Sequence, residues 1–139
     1  AESCTGGLVA AACTSIAGSS DWFERGYVTY SNEAKTESLG VPAELIVRHG
    51  AVSREVALAL VMGALQRSGA QVGVATTGIA GPGGGSPRKP VGTVWFAWAR
   101  GQDFVEAECR HFPGDRTQVR AAATRHALQR VRSLLEATA

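Results

Sequence analysis

The chain has 139 residues, 45% of them hydrophobic and 19% charged, which is the size and balance of one globular domain and excludes a disordered segment. Its formal net charge is only +2 and its arginines are scattered, so a nucleic-acid partner is not expected. The longest mostly apolar stretch, Val56 to Leu65, is far too short to cross a bilayer, and no membrane association is expected either.

Leu8 to Ala17 is rich in alanine with β-branched residues interspersed and stops at Gly18. It predicts a buried helix with Thr5 near its N-cap. Glu24 to Tyr30 ends in the aromatic and β-branched run Tyr27-Val28-Thr29-Tyr30 and predicts a strand. Asn32 to Leu39 reads as a short helix capped by Ser31 or Asn32 and ended by Gly40. Pro42 opens another that reaches His49 and stops at Gly50. Ser53 caps a longer helix, in which Val56, Ala57, Leu60, Val61, Ala64 and Leu65 fall on one face. Gln71 to Thr77 reads as a buried strand, followed over 78–90 by a loop of glycines with Pro82, Pro87 and Pro90. Val91 to Arg100 and Asp103 to His111 form a hairpin around Gly101. Asp115 then caps a last helix to about Ala137, with Val119, Ala122, Ala123, His126, Ala127, Val131 and Leu134 on one face. Alternating helices and strands, then a hairpin, then a helix, define the expected fold class: α/β, a three-layer α/β/α domain with a mixed sheet. There is no internal repeat and no linker, so one domain over 1–139 is expected.

Chemistry gathers in three segments. Lys35 is one of two lysines among fourteen basic residues, and a lysine can accept a proton once burial lowers its pKa, whereas arginine effectively cannot. Ser20, in a Gly-Ser-Ser turn, and Tyr30, at the end of the predicted strand, could work with it as nucleophile and relay. On the residues alone, turn formation is the better account of Ser19 and Ser20. Ser3, Thr5, Gly6 and Gly7 precede a predicted helix, where bare amides favour an anion. Ser3 is there an oxyanion or phosphate holder, or the nucleophile itself. Cys4 has no histidine near it in sequence and reads as a small buried thiol. The loop after Thr77 lacks the Gly-Lys-Ser/Thr ending of a P-loop and the GxGxxG spacing of a dinucleotide fold. It follows the end of a buried strand, where α/β sheets place ligands. Arg116 opens the last helix, a position suited to a phosphate monoester. Cys4, Cys13 and Cys109 form no CxxC, and no histidines cluster; no metal site is expected, and the thiols suit the reducing cytoplasm.

AESCTGG at 1–7, GSSDWFERGYVTYSNEAK at 18–35, TGIAGPGGG at 77–85, KPVGTVWFA at 89–97 and FPGDR at 112–116 together resemble the CinA C-terminal domain family. Characterised members of that family are nicotinamide-nucleotide amidases. Family domains carry a helix and a strand ahead of the AESCTGG-like segment, so these are expected to be missing from this sequence. The resemblance implies hydrolysis of the carboxamide of nicotinamide mononucleotide to nicotinic acid mononucleotide and ammonia, with no metal or organic cofactor. It implies Ser20 as nucleophile, Lys35 as base and Tyr30 as relay. Substrate binding falls to Ser3, Thr5, Gly6, Gly7, Thr77, Gly78 and Arg116. The partner implied is a small nucleotide, and a homo-oligomer is expected. The alternative is a non-catalytic nucleotide-binding or oligomerisation domain of a competence/damage-inducible protein.

Overall fold

The computed structural model describes residues 1–137, and the last two residues of the expected domain lie outside them. Its helices are α1 (Leu8–Thr14), α2 (Asn32–Leu39), α3 (Ala43–His49), α4 (Arg54–Gln66) and α5 (Arg116–Glu136). Its strands are β1 (Val72–Gly78), β2 (Thr93–Arg100) and β3 (Phe104–His111), and a 3-10 turn occupies Ser19–Asp21. Local chemistry sets several of these boundaries. The Ser31 hydroxyl accepts from the Ala34 amide at the start of α2, and Gly40, at φ 70°, closes it. Ser53 does the same for α4 through the Val56 amide. Asp115 and Gln118 form a reciprocal capping box at the start of α5.

The three strands pair antiparallel in the order β1-β2-β3, with Thr76 opposite Phe96 and Phe96 opposite Glu108. The sheet continues beyond β1. The Thr76 amide donates to the Ala1 carbonyl at 3.1 Å, and the Ser3 amide returns to the Thr76 carbonyl at 3.0 Å. On the far side of Glu2, its amide donates to Tyr27 and its carbonyl accepts from Thr29. Both of these pairings are parallel, so the whole is a mixed sheet with residues 1–3 inserted between 27–29 and β1. The strand expected over Glu24–Tyr30 shrinks to a single bridge at Val28, because only Glu2 pairs with it.

Helices cover both faces. Leu39, Val41 and Ile46 join Val56, Leu60 and Val61 of α4 over Ala75, Ala97 and Ala99. On the other face Val119, Ala123, Ala127 and Leu134 of α5 pack on Val94, Phe96 and Trp98, together with Val9 of α1. Trp98, fully buried, donates its indole N–H to the Ala127 carbonyl at 3.0 Å, so its one polar group is satisfied inside the core. Gly63 lets α4 approach α2, since a Cβ there would overlap the Leu39 carbonyl. The result is a three-layer α/β/α domain.

Candidate active site

The inserted segment 1–3, the carboxyl end of β1, and the amino-terminal ends of α2 and α5 converge on a cleft of about 200 Å³. Ser3, Tyr30, Lys35, Thr77, Gly78 and Arg116 line it. At its floor, Lys35 is only 1% exposed and Ser3 only 8%. The Lys35 Nζ stands 3.2 Å from the Ser3 Oγ, and donates to the Thr29 and Tyr30 carbonyls at 3.0 Å each. Those two carbonyls commit two of its hydrogens. As an ammonium, Lys35 donates its third to Ser3; as a neutral amine, it points its lone pair along the same line and accepts the serine proton. No carboxylate is among its hydrogen-bond partners, and burial pushes the amine below its usual pKa, with Cys4 and Glu33 opposing. The neutral, proton-accepting form is thereby easier to reach than in a solvated lysine.

Ser20 lies elsewhere. It is exposed on the 3-10 turn and is not among the cleft-lining residues. The expected Ser20–Lys35 pairing is therefore corrected to Ser3–Lys35. Parallel insertion of residues 1–3 carries Ser3 beside the end of the 27–29 segment, whereas α1 and the turn carry Ser20 away. Tyr30 also departs from its expected role. Its carbonyl, not its phenol, meets Lys35, and its side chain is 60% exposed with the hydroxyl accepting from Arg116 at 3.2 Å.

The amides expected to hold an anion at α1 are occupied. Glu2, buried at 3% exposure, accepts from Gly7, Val9 and Ala10 amides at 3.2, 2.8 and 3.0 Å and from the Thr5 hydroxyl at 2.6 Å. Thr5 is fully buried, its hydroxyl also meeting that of Thr76 at 2.8 Å, and the Gly6 amide donates to the Ser3 carbonyl. The Thr5 hydroxyl and the Gly6 and Gly7 amides are thus corrected from ligand groups to the support of the Ser3 turn, the Thr5 amide alone having no described partner, and Glu2 replaces Thr5 as the cap of α1. Sequence reasoning passed over Glu2. Its signal was a carboxylate a few residues ahead of a helix start, which suits the positive end of the helix dipole.

Thr77 turns its hydroxyl to the Ala51 carbonyl at 2.8 Å, tying β1 to the loop ahead of α4. Alternation along β1 directs the amides of 74, 76 and 78 towards residues 1–3, and no described hydrogen bond uses the Gly78 amide. Arg116 reaches over the cleft mouth and donates to the Gly81 carbonyl at 2.9 Å. Among the described ion pairs none includes Arg116, so its charge is open to an incoming anion. Asn32, which the sequence reading did not single out, also lines the cleft. Cys4 lines it too, but burial pushes its thiol up to about 11, which leaves it protonated and weakly nucleophilic at neutral pH. Among the described residues no group of histidine, cysteine or acidic side chains could hold a metal ion.

The cleft of this α/β/α layered domain thus joins a buried hydroxyl–amine pair to an arginine outside the described ion pairs. The chain belongs to the CinA C-terminal domain family, which it matches over residues 1–135. It is 57% identical over 131 residues to the nicotinamide-nucleotide amidohydrolase PncC of Escherichia coli K12, covering 93% of this chain and 78% of that protein. With the protein of the same name from Pseudomonas putida it shares 60% over 120 residues, 86% of this chain and 74% of the relative. The crystal structure of a competence/damage inducible protein from Agrobacterium tumefaciens superposes with a TM-score of 0.92 at 51% identity, over 96% of this chain and 81% of that one.

Proposed function

We propose that this domain is a nicotinamide-nucleotide amidohydrolase, which converts nicotinamide mononucleotide and water to nicotinic acid mononucleotide and ammonia. The observation that carries the reading is the buried Ser3–Lys35 contact in a cleft whose mouth holds Arg116. The names of the relatives supply the substrate.

In this mechanism neutral Lys35 takes the proton of Ser3 as the Oγ attacks the carboxamide carbon. The tetrahedral oxyanion forms beside the backbone amides of Thr5 and Gly78, which no described hydrogen bond occupies. The Lys35 ammonium then protonates the departing nitrogen, the C–N bond breaks, and ammonia leaves a Ser3 ester. Water, deprotonated by Lys35, attacks that ester. The acid product leaves and the Ser3 hydroxyl is restored. Arg116 receives the phosphate with its remaining guanidinium donors, while Tyr30 and the Gly81 carbonyl hold the guanidinium in place. Thr77 braces the cleft wall.

The reaction belongs in the cytoplasm, a setting supported by three free cysteines. Exposed Ile16, Trp22 and Val28 support assembly into a homo-oligomer. No helix among the described residues is long and apolar enough to cross a membrane. The test is ammonia release from the mononucleotide, measured alongside binding of the same compound. Stoichiometric acid product supports the enzyme; binding without product would favour the non-catalytic domain.

A further inference from the structure

The structure assigns Arg120 a role as the positioning residue of the oxyanion site, acting through the peptide groups that follow Ser3. The inference rests on the Ser3–Lys35 reading above. Arg120 lies one turn beyond Arg116 on α5, and is half-buried instead of exposed. Its Nε donates to the Cys4 carbonyl at 3.0 Å and its Nη2 to the Thr5 carbonyl at 3.3 Å. Among the described ion pairs none includes Arg120. A planar cation here grips two consecutive peptide carbonyls and nothing acidic.

In a trans peptide the C=O and the next N–H point in opposite directions. Holding the Cys4 carbonyl against Arg120 therefore turns the Thr5 amide away from Arg120. The Ser3–Gly6 turn, closed by the Gly6 amide on the Ser3 carbonyl, leaves the Thr5 amide as its open donor. Thr5 is fully buried, yet no described hydrogen bond uses its amide. A buried donor without a partner is costly unless something else satisfies it, and an oxyanion forming on the neighbouring serine would. The positive charge on the carbonyl side also polarises the peptide and strengthens its N–H as a donor. Lysine could not reproduce the two-pronged grip, because it is a point donor without the planar fork. Space is tight as well: a Cβ added to Gly6 would stand 3.2 Å from the Arg120 Nη2, so the guanidinium rests directly against the turn.

The experiment compares Arg120→Ala, Arg120→Lys and Ser3→Ala in the full chain, with turnover of the mononucleotide normalised to folded protein by circular dichroism. Arg120→Ala should lower kcat about tenfold to a hundredfold, as expected for a misplaced oxyanion donor, and leave KM nearly unchanged. Guanidinium chloride at low millimolar concentration should restore part of the lost kcat in Arg120→Ala. Phosphonylation of the active serine by a fluorophosphonate, which forms a similar tetrahedral anion, should slow in parallel. A merely structural arginine would lower the melting temperature without moving the rate per folded molecule or responding to guanidinium. If Arg120→Ala does not fold, Arg120→Lys carries the test and should lie between parent and alanine levels. Parental kcat in either folded Arg120 variant, with Ser3→Ala inert, overturns the inference alone. Turnover by Ser3→Ala would instead overturn the reading on which it rests.

Discussion

Lys35 is where burial and charge meet most directly, and its depressed pKa has consequences for both rate and stability. Only the neutral amine can take the serine proton, so kcat should rise with pH through a midpoint below the ordinary lysine value of 10.5. The linkage runs in the same direction. Between the folded pKa and 10.5 the unfolded chain carries a proton that the folded chain lacks, so stability increases with pH across that window. Below the folded pKa the full cost of burying the ammonium remains. Lys35→Met should therefore abolish turnover, raise the neutral-pH denaturation midpoint and flatten the dependence of stability on alkaline pH, as urea titrations would report. Arg116→Ala should act on binding. It should raise KM for the mononucleotide about tenfold to a hundredfold, the worth of a charge-assisted contact, and leave the unphosphorylated riboside nearly unaffected. Equal effects on the two compounds would remove Arg116 from the phosphate. Lys35 and Arg116 could be singled out from the sequence because one is a rare amine and the other opens a helix. Ser3 too was a candidate, but its pairing with Lys35 was not legible, because it comes through a parallel pairing whose register leaves no trace in local spacing.

Among the elements, α1 depends most on a single side chain. Seven residues are too few to hold a helix by propensity, and the Glu2 carboxylate supplies acceptors for two of its amino-terminal amides and for that of Gly7 just ahead of it. Glu2→Ala should leave these donors unpaired at a cost of about 1–3 kcal/mol each if none recruits water, and should lower the urea midpoint accordingly. Glu2→Gln keeps one carbonyl acceptor and should recover part of the loss. A Glu2→Ala protein as stable as the parent would mean that the amides find other partners. Helices α2, α4 and α5 could be delimited from the sequence almost to the residue, since Ser31, Ser53 and Asp115 are capping residues placed just ahead of them. The 24–30 segment misled for a physical reason. Its β-propensity is real, but Tyr27, Val28 and Thr29 pair only with Glu2, and a strand needs a partner to be regular.

At the scale of the whole molecule, the layers explain why the cleft lies where it does. Residues 1–3 sit inside a mixed sheet, so the end of that segment is held by parallel bonds from both sides. Ser3, whose amide makes the last of them, stands at the rim where α2 brings Lys35 and α5 brings Arg116. In the proposed mechanism a rigid sheet thus presents the nucleophile, and two helices from opposite layers supply base and anion site. The layered architecture was legible in the alternation of elements; the insertion of a short segment at its centre was not. The most direct test is a side-by-side assay of ammonia release by Ser3→Ala and Ser20→Ala. A nucleophilic Ser3 requires the first to be inert and the second, altered only on an exposed turn, to run at about the parental rate. Turnover by Ser3→Ala with loss of activity in Ser20→Ala would contradict the assignment.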